Sequence, residues 1–120
     1  MNYTRDKLEK IVIGTLLNEY GYDKYFQRSN AVLRGELFKD KKNRFIFNTI
    51  KEMNEKGMKQ TTPYDVAIYA TQNNKKYGNL HKFCCYMCDI IQYNAFGEFK
   101  RFVKQLVDEF VKDKRYGKER

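Results

Sequence analysis

Leu8-Glu9-Lys10-Ile11-Val12-Ile13-Gly14-Thr15-Leu16-Leu17-Asn18 is the stretch that decides the fold class. Leu8, Ile11, Val12, Thr15 and Leu16 recur at i, i+3, i+4, i+7 and i+8, and Tyr20 continues the row. That spacing lines one face of a helix with apolar side chains, while Asp6, Lys7, Glu9, Lys10 and Asn18 fall largely off it. An amphipathic helix is predicted, stopped by Gly21.

The same period continues outward. Tyr22, Tyr25 and Phe26 predict a short second helix before an irregular stretch around Ser29 to Glu36. Asp40 can accept hydrogen bonds from the free amides of a third helix, whose stripe is Ile46, Phe47, Ile50 and Met53 and whose end is marked by Gly57. Thr62-Pro63-Tyr64-Asp65 is a start signal, with a threonine cap, a proline where its missing amide costs nothing, and a carboxylate in the first turn. Val66, Ala67, Tyr69 and Ala70 ride on that fourth helix, and a polar turn from Asn73 to Asn79 follows. Leu80, Phe83, Cys84, Met87 and Ile91 then give a fifth stripe. Asn94 is expected to cap a sixth helix, in which Phe96, Phe99, Val103, Leu106 and Phe110 step by 3, 4, 3 and 4 residues.

No segment alternates strictly or is rich in threonine, valine and isoleucine, so no strand is predicted. The expected class is all-α, a compact bundle of about six helices with an extended C-terminal helix. A chain of 120 residues is sized for one domain, here read as residues 1–120 with a basic tail from 113 onward. Its 42% apolar and 16% aromatic content can fill a core, so the low mean hydropathy of −0.81 reflects many charges.

Function classes narrow by what the sequence lacks. The longest apolar run, Ile11 to Ile13, is far too short to cross a bilayer, and the opening residues lack the apolar stretch of a secretory signal, so a cytoplasmic location without membrane contact is expected. Cys84, Cys85 and Cys88 form a tight odd-numbered cluster, which fits reduced thiols better than a disulfide scaffold. With His81 they are also the one cluster of metal-ligand types. On a helix, however, Cys84 and Cys88 share one face while His81 and Cys85 share another about 100° away, so four tetrahedral bonds would require unwinding. Buried apolar cysteines are the expectation instead. No Gly-x-x-x-x-Gly-Lys-Ser/Thr loop is present to cradle phosphates, and Gly14 before Thr15 reads as a site of close helix packing. Carboxylates sit beside lysines, as Glu52 does with Lys51 and Lys56, or Asp108 with Lys104 and Lys112, which predicts solvated ion pairs rather than acid–base chemistry. No catalytic residue, cofactor or metal is expected, and the chain is read as a binding module and not an enzyme.

Two surfaces are candidates for that binding. The first is the last helical stripe, where Phe99, Val103, Leu106 and Phe110 with Val107 make a seam, widened by Phe102 and Val111. Such a seam either closes the chain's own core or takes a partner helix, and its breadth points to a partner such as a second copy of the chain. The second is charge. Of the net +9, residues 34–59 and 100–120 contribute +4 each, residues 1–33 only +1 and residues 60–99 nothing. Lys39, Lys41, Lys42 and Arg44, with Lys112, Lys114 and Arg115, are the candidate contacts to DNA, against the plain alternative of solubility.

Several of these pieces together resemble the N-terminal domain of bacterial replicative helicases of the DnaB type. Glu9 to Leu17 is similar to that family's opening helix, E-x-x-V-L-G-x-L-L, and the other pieces follow in family order. Glu36-Leu37-Phe38 resembles its acidic-aromatic step, Arg44 to Ile50 its I-F-x-x-I helix, and Lys56-Gly57 with Thr62 and Asp65 its glycine turn and next helix start. Tyr77-Gly78-Asn79-Leu80 and Asn94 sit at its G-x-L turn and helix-starting asparagine. The resemblance spans about Leu8 to Lys112. It departs at Lys42-Asn43, where the family has a histidine, and in the cysteine-rich helix. It implies a helical bundle followed by a helical hairpin, through which subunits pair into a ring collar that contacts primase and loader proteins. Only the first hairpin helix, about Phe96 to Lys112, is matched, as in a fragment or a stand-alone homologue.

Overall fold

Why the first helix carries so many apolar residues is plain once its neighbours are in place. A computed structural model describes residues 3–19, 33–75, 77–95 and 97–117. Among them are five α-helices: α1 (Arg5–Leu16), α2 (Lys41–Glu55), α3 (Pro63–Gln72), α4 (Leu80–Ile90) and α5 (Phe99–Gly117). Two short 3₁₀ turns, Gly35–Leu37 and Ile91–Tyr93, precede α2 and follow α4. No strand occurs among the described residues, so the all-α class holds. The short helix predicted around Tyr22 to Phe26, and the stop at Gly21, lie outside the described residues.

Helix α1 is the central element. Thr4 caps it by accepting the Lys7 N–H at 3.2 Å, and α2, α4, α5 and the second 3₁₀ turn all pack on it. Surrounded this way, it buries Glu9, Ile13, Gly14 and Leu17 as well as the predicted row. The one-sided reading is therefore corrected: a helix enclosed on several faces is apolar on several faces. Thr15 makes the enclosure specific. Its hydroxyl donates to the Ile11 carbonyl at 2.8 Å and accepts the Ala95 N–H at 2.8 Å, tying α1 to the segment that leads into α5.

The start and stop signals of α2 and α3 act as read. Asp40 accepts the Asn43 N–H at 3.0 Å, and Gly57, at φ +86°, ends α2 in the left-handed conformation that glycine adopts without strain. Thr62 and Asp65 complete a reciprocal capping box around Pro63. Thr61, just before it, is buried and donates to the Leu16 carbonyl at 2.7 Å, which fixes α3 to the end of α1.

Several expectations are corrected in the C-terminal half. Asn79 caps α4, and the face of α4 that meets the core is Phe83, Met87 and Ile90, at i, i+4 and i+7. Cys84 and Cys88 stand one position round the helix from Phe83 and Met87, about 100° away, and Cys85 lies nearly opposite them. Cys84 is thus only half-buried and Cys85 and Cys88 are exposed, not the buried apolar thiols expected. Asn94 does not cap α5. Its side chain donates to the Ile91 carbonyl at 3.2 Å, and α5 begins at Phe99 after a turn at Gly97 and Glu98. At its other end α5 continues to Gly117.

The broad apolar face of α5 is used by the chain itself. Phe99, Phe102, Val103, Leu106 and Phe110 are all buried in the core, largely on α1, with Leu106 at 0% exposure. Burying each such side chain contributes roughly 1.5–3 kcal/mol. The expectation that this stripe stands open to a partner is thereby corrected. Only its edge is left, where Val107 is half-buried and Val111 is 50% exposed.

Candidate functional site

A buried polar network lies where α1, α2, α5 and the first 3₁₀ turn meet. Glu9, off the apolar row in sequence, is 1% exposed. Its carboxylate accepts the Lys39 N–H at 2.8 Å, the Asp40 N–H at 3.3 Å and the Asn43 side-chain amide at 3.0 Å. It is also paired with Arg5 Nε at 3.5 Å. A carboxylate removed from water needs such partners, and here they are the backbone amides that lead into α2. Asn43 is buried too and accepts a hydrogen bond from the Tyr86 hydroxyl on α4. Burial, followed by the field of Asp40, pushes the Tyr86 phenol above its ordinary range, so it stays a neutral donor.

Arg5 joins the remaining pieces. Its guanidinium donates to the Leu37 carbonyl at 2.9 Å and to the Asp113 carboxylate near the end of α5. Above it opens a cleft of about 790 Å³ between the segment Gly35 to Asn48 and the last turns of α5, with Arg5, Glu36, Lys39, Arg44, Asn48, Glu109, Phe110, Lys112, Asp113 and Lys114 among its lining. Two basic zones far apart in sequence thus share one groove. Lys39 and Arg44 line one wall, and Lys112 and Lys114 the other. Arg44 is held there by its Nε–H donating to the Phe38 carbonyl at 2.9 Å. The remaining predicted contacts are not in this lining. Lys42 turns toward α4, with Nζ 4.1 Å from the Tyr86 ring centroid, and Lys41 and Arg115 are exposed outside it.

The other predicted groups divide as well. Glu52 pairs across the fold with Lys75 at 3.1 Å and accepts from the Tyr69 hydroxyl, rather than with its helix neighbours Lys51 and Lys56. That hydroxyl, with Lys75 second, holds the Glu52 carboxyl below its usual range. Lys112 pairs with Glu109 at 3.7 Å, and not with Asp108. Cys85 Sγ lies 3.7 Å from His81 Nε2 on the exposed side of α4, and no three His, Cys, Asp or Glu side chains among the described residues are placed to share a metal ion. Gly14 does what its reading says: a Cβ there would stand 2.2 Å from the Ile90 carbonyl oxygen, so glycine lets α1 and α4 touch.

Glu9 and Gly14 are thus two non-apolar positions that the packing of α1 fixes tightly. Both occur in the opening-helix pattern. Compared with known families, the chain matches the one described as DnaB-like helicase N-terminal domain over residues 2–105. The chain belongs to this family.

No curated protein matches the chain. The DnaB-like match covers α1 to α4 and the first part of α5, leaving residues 106–117 beyond it. It is a match to the N-terminal domain of a replicative helicase and not to its motor, so the chain is a replication-helicase-associated domain. No helix among the described residues is long and apolar enough to cross a membrane. Within this family frame, Arg5, Glu9 and Asn43 are the residues sequence reasoning missed as part of the site. The available signal was a carboxylate one position from the buried row, in the first position of the family pattern.

Proposed function

We propose that the chain is a non-catalytic protein-interaction module of DNA replication, working in the cytoplasm like the collar domain of a replicative helicase. It associates with its own kind and docks on helicase, primase or loader proteins. The observation that carries this reading is the family match over residues 2–105, which takes in the packed core described above except Leu106 and Phe110. The groove beside Arg5 and the edge of α5 supply surfaces for it.

In this reading the seam residues have separate tasks. Phe99, Val103, Leu106 and Phe110 hold α5 on α1, and Val107 with Val111 offers the edge at which a second copy pairs. Light scattering tests the pairing. The wild type is expected to show a dimer or larger species, and Val111→Glu a monomer of unchanged helicity. A monomeric wild type at high concentration removes self-association from the proposal.

DNA contact is the second reading, favoured by the gathering of Lys39, Arg44, Lys112 and Lys114 round one groove. Phosphate contacts predict a steep fall of affinity with salt, so binding to single- and double-stranded DNA at two salt concentrations decides it.

A further inference from the structure

The lining of the groove is not neutral once its internal pairs are matched. Each of its carboxylates already has a cation: Glu36 has Arg34 at 3.2 Å, Glu109 has Lys112 at 3.7 Å, and Asp113 has Arg5. Lys39, Arg44 and Lys114 have no carboxylate partner among the described residues. All three are exposed, and their positions are set from below. Glu9 anchors the Lys39 backbone, the Phe38 carbonyl holds one edge of the Arg44 guanidinium, and Lys114 Nζ lies 5.5 Å from the Phe110 ring centroid. The groove is a concave surface with three unmet positive charges.

We propose that this groove docks an acidic segment of a partner protein, whose side-chain carboxylates pair with Lys39, Arg44 and Lys114. The proposal rests on reading the chain as an interaction module and names the chemistry of one of its partners. Charge complementarity carries it. A second copy of this chain, with net charge +9, is a poor occupant.

Two features of the lining favour a peptide over a nucleic acid. Single strands bind where aromatic faces are open for bases to stack, but Phe110, the one ring among the described lining residues, is 9% exposed. The three fixed carboxylates also stand among the cations. A phosphate backbone carries a charge at every step and meets them, whereas a peptide can place its acidic side chains only where cations wait. Residues Glu36, Glu109 and Asp113 then select for acidic groups interspersed with neutral or basic ones.

Fluorescence anisotropy with the full chain tests this. The probes are a labelled peptide alternating glutamate with leucine, an oligo-dT strand and a DNA duplex. The peptide is expected to bind at low salt, and Lys39→Glu/Arg44→Glu/Lys114→Glu is expected to weaken it about tenfold or more, as the loss of three exposed ion pairs implies. Lys39→Glu/Lys114→Glu, which spares the Arg44 bond to Phe38, keeps the test valid if the triple variant unfolds. Lys100→Glu/Lys104→Glu, on exposed positions of α5 outside the groove, is expected to retain binding.

No peptide binding at low salt, or equal weakening by the Lys100/Lys104 control, overturns the proposal. So does tighter binding of either DNA probe through the same three residues, which would assign the groove to nucleic acid. Co-sedimentation with a helicase ring is a separate readout. A wild-type complex that the triple variant keeps sinks only the groove, and a wild type that forms no complex sinks the interaction-module reading.

Discussion

Replacing Glu9 by alanine should be among the most damaging single changes in the protein, although the sequence places Glu9 beside lysines on what reads as a polar face. In the fold its carboxylate is the acceptor for two backbone N–H groups and the Asn43 amide, and it faces Arg5 Nε. Glu9→Ala takes the shared acceptor away from these donors at a position only 1% exposed. Arg5 keeps Asp113 and the Leu37 carbonyl, so its charge is not wholly abandoned. Removing one partner of a buried charged network costs roughly 3–5 kcal/mol, a large part of the ~5–15 kcal/mol that holds a domain folded. With a urea m-value near ~2 kcal/mol per molar, the midpoint should fall by roughly 2 M at unchanged m. Glu9→Gln keeps an acceptor oxygen but turns a donor toward other donors, and should lose about 1–3 kcal/mol. Urea titrations followed by circular dichroism measure both, with the exposed Glu55→Ala as control, expected within ~0.5 kcal/mol of wild type. If Glu9→Ala shifts the midpoint no more than Glu55→Ala does, the network has no structural role and the reasoning from burial fails.

Three further outcomes follow from the same packing. Gly14→Ala drives a Cβ against the Ile90 carbonyl, so a strain of ~1–3 kcal/mol should outweigh the ~1 kcal/mol helix-propensity gain, whereas Gly97→Ala meets nothing within 4 Å. Thermal melts should show Gly14→Ala several degrees lower and Gly97→Ala unchanged; a stabilised Gly14→Ala contradicts the close approach. Leu106→Glu places an unpaired charge at a fully buried position and should abolish the cooperative melt, so it reports on folding and not on pairing. A folded Leu106→Glu would show that α5 does not need its core contact. Because the Tyr86 phenol is raised in the fold, its stabilising effect is complete below the unfolded tyrosine value of about 10 and is lost as pH climbs beyond it. The stability gap between wild type and Tyr86→Phe should therefore narrow in urea titrations above about pH 10, and a constant gap refutes the shift.

Much of this fold could be read from local chemistry. Asp40, Thr62 with Asp65, and Gly57 act within one turn of themselves, so their signals survive any tertiary arrangement. The 3.6-residue period likewise gave α2, α3 and α5 their core faces. Readings failed where the answer depended on a neighbour. Whether the α5 stripe is open or closed is decided by α1, which covers it. The cysteines look apolar by type, yet a rotation of α4 by one residue puts Phe83, Met87 and Ile90 inside and leaves Cys85 and Cys88 out. Glu9 could not be placed because its partners lie some thirty residues away at Lys39, Asp40 and Asn43. The groove was half legible: both basic clusters were visible, but only the Arg5 bridge from Leu37 to Asp113 shows that Lys39 and Arg44 face Lys112 and Lys114.

Sedimentation velocity of the purified chain, alone and mixed with a DnaB-type helicase ring, primase or loader, tests the proposed role most directly. The account predicts a faster-moving complex with at least one of these proteins, retained in Leu8→Met as a conservative core control. A chain that sediments unchanged in every mixture, while remaining folded, contradicts it.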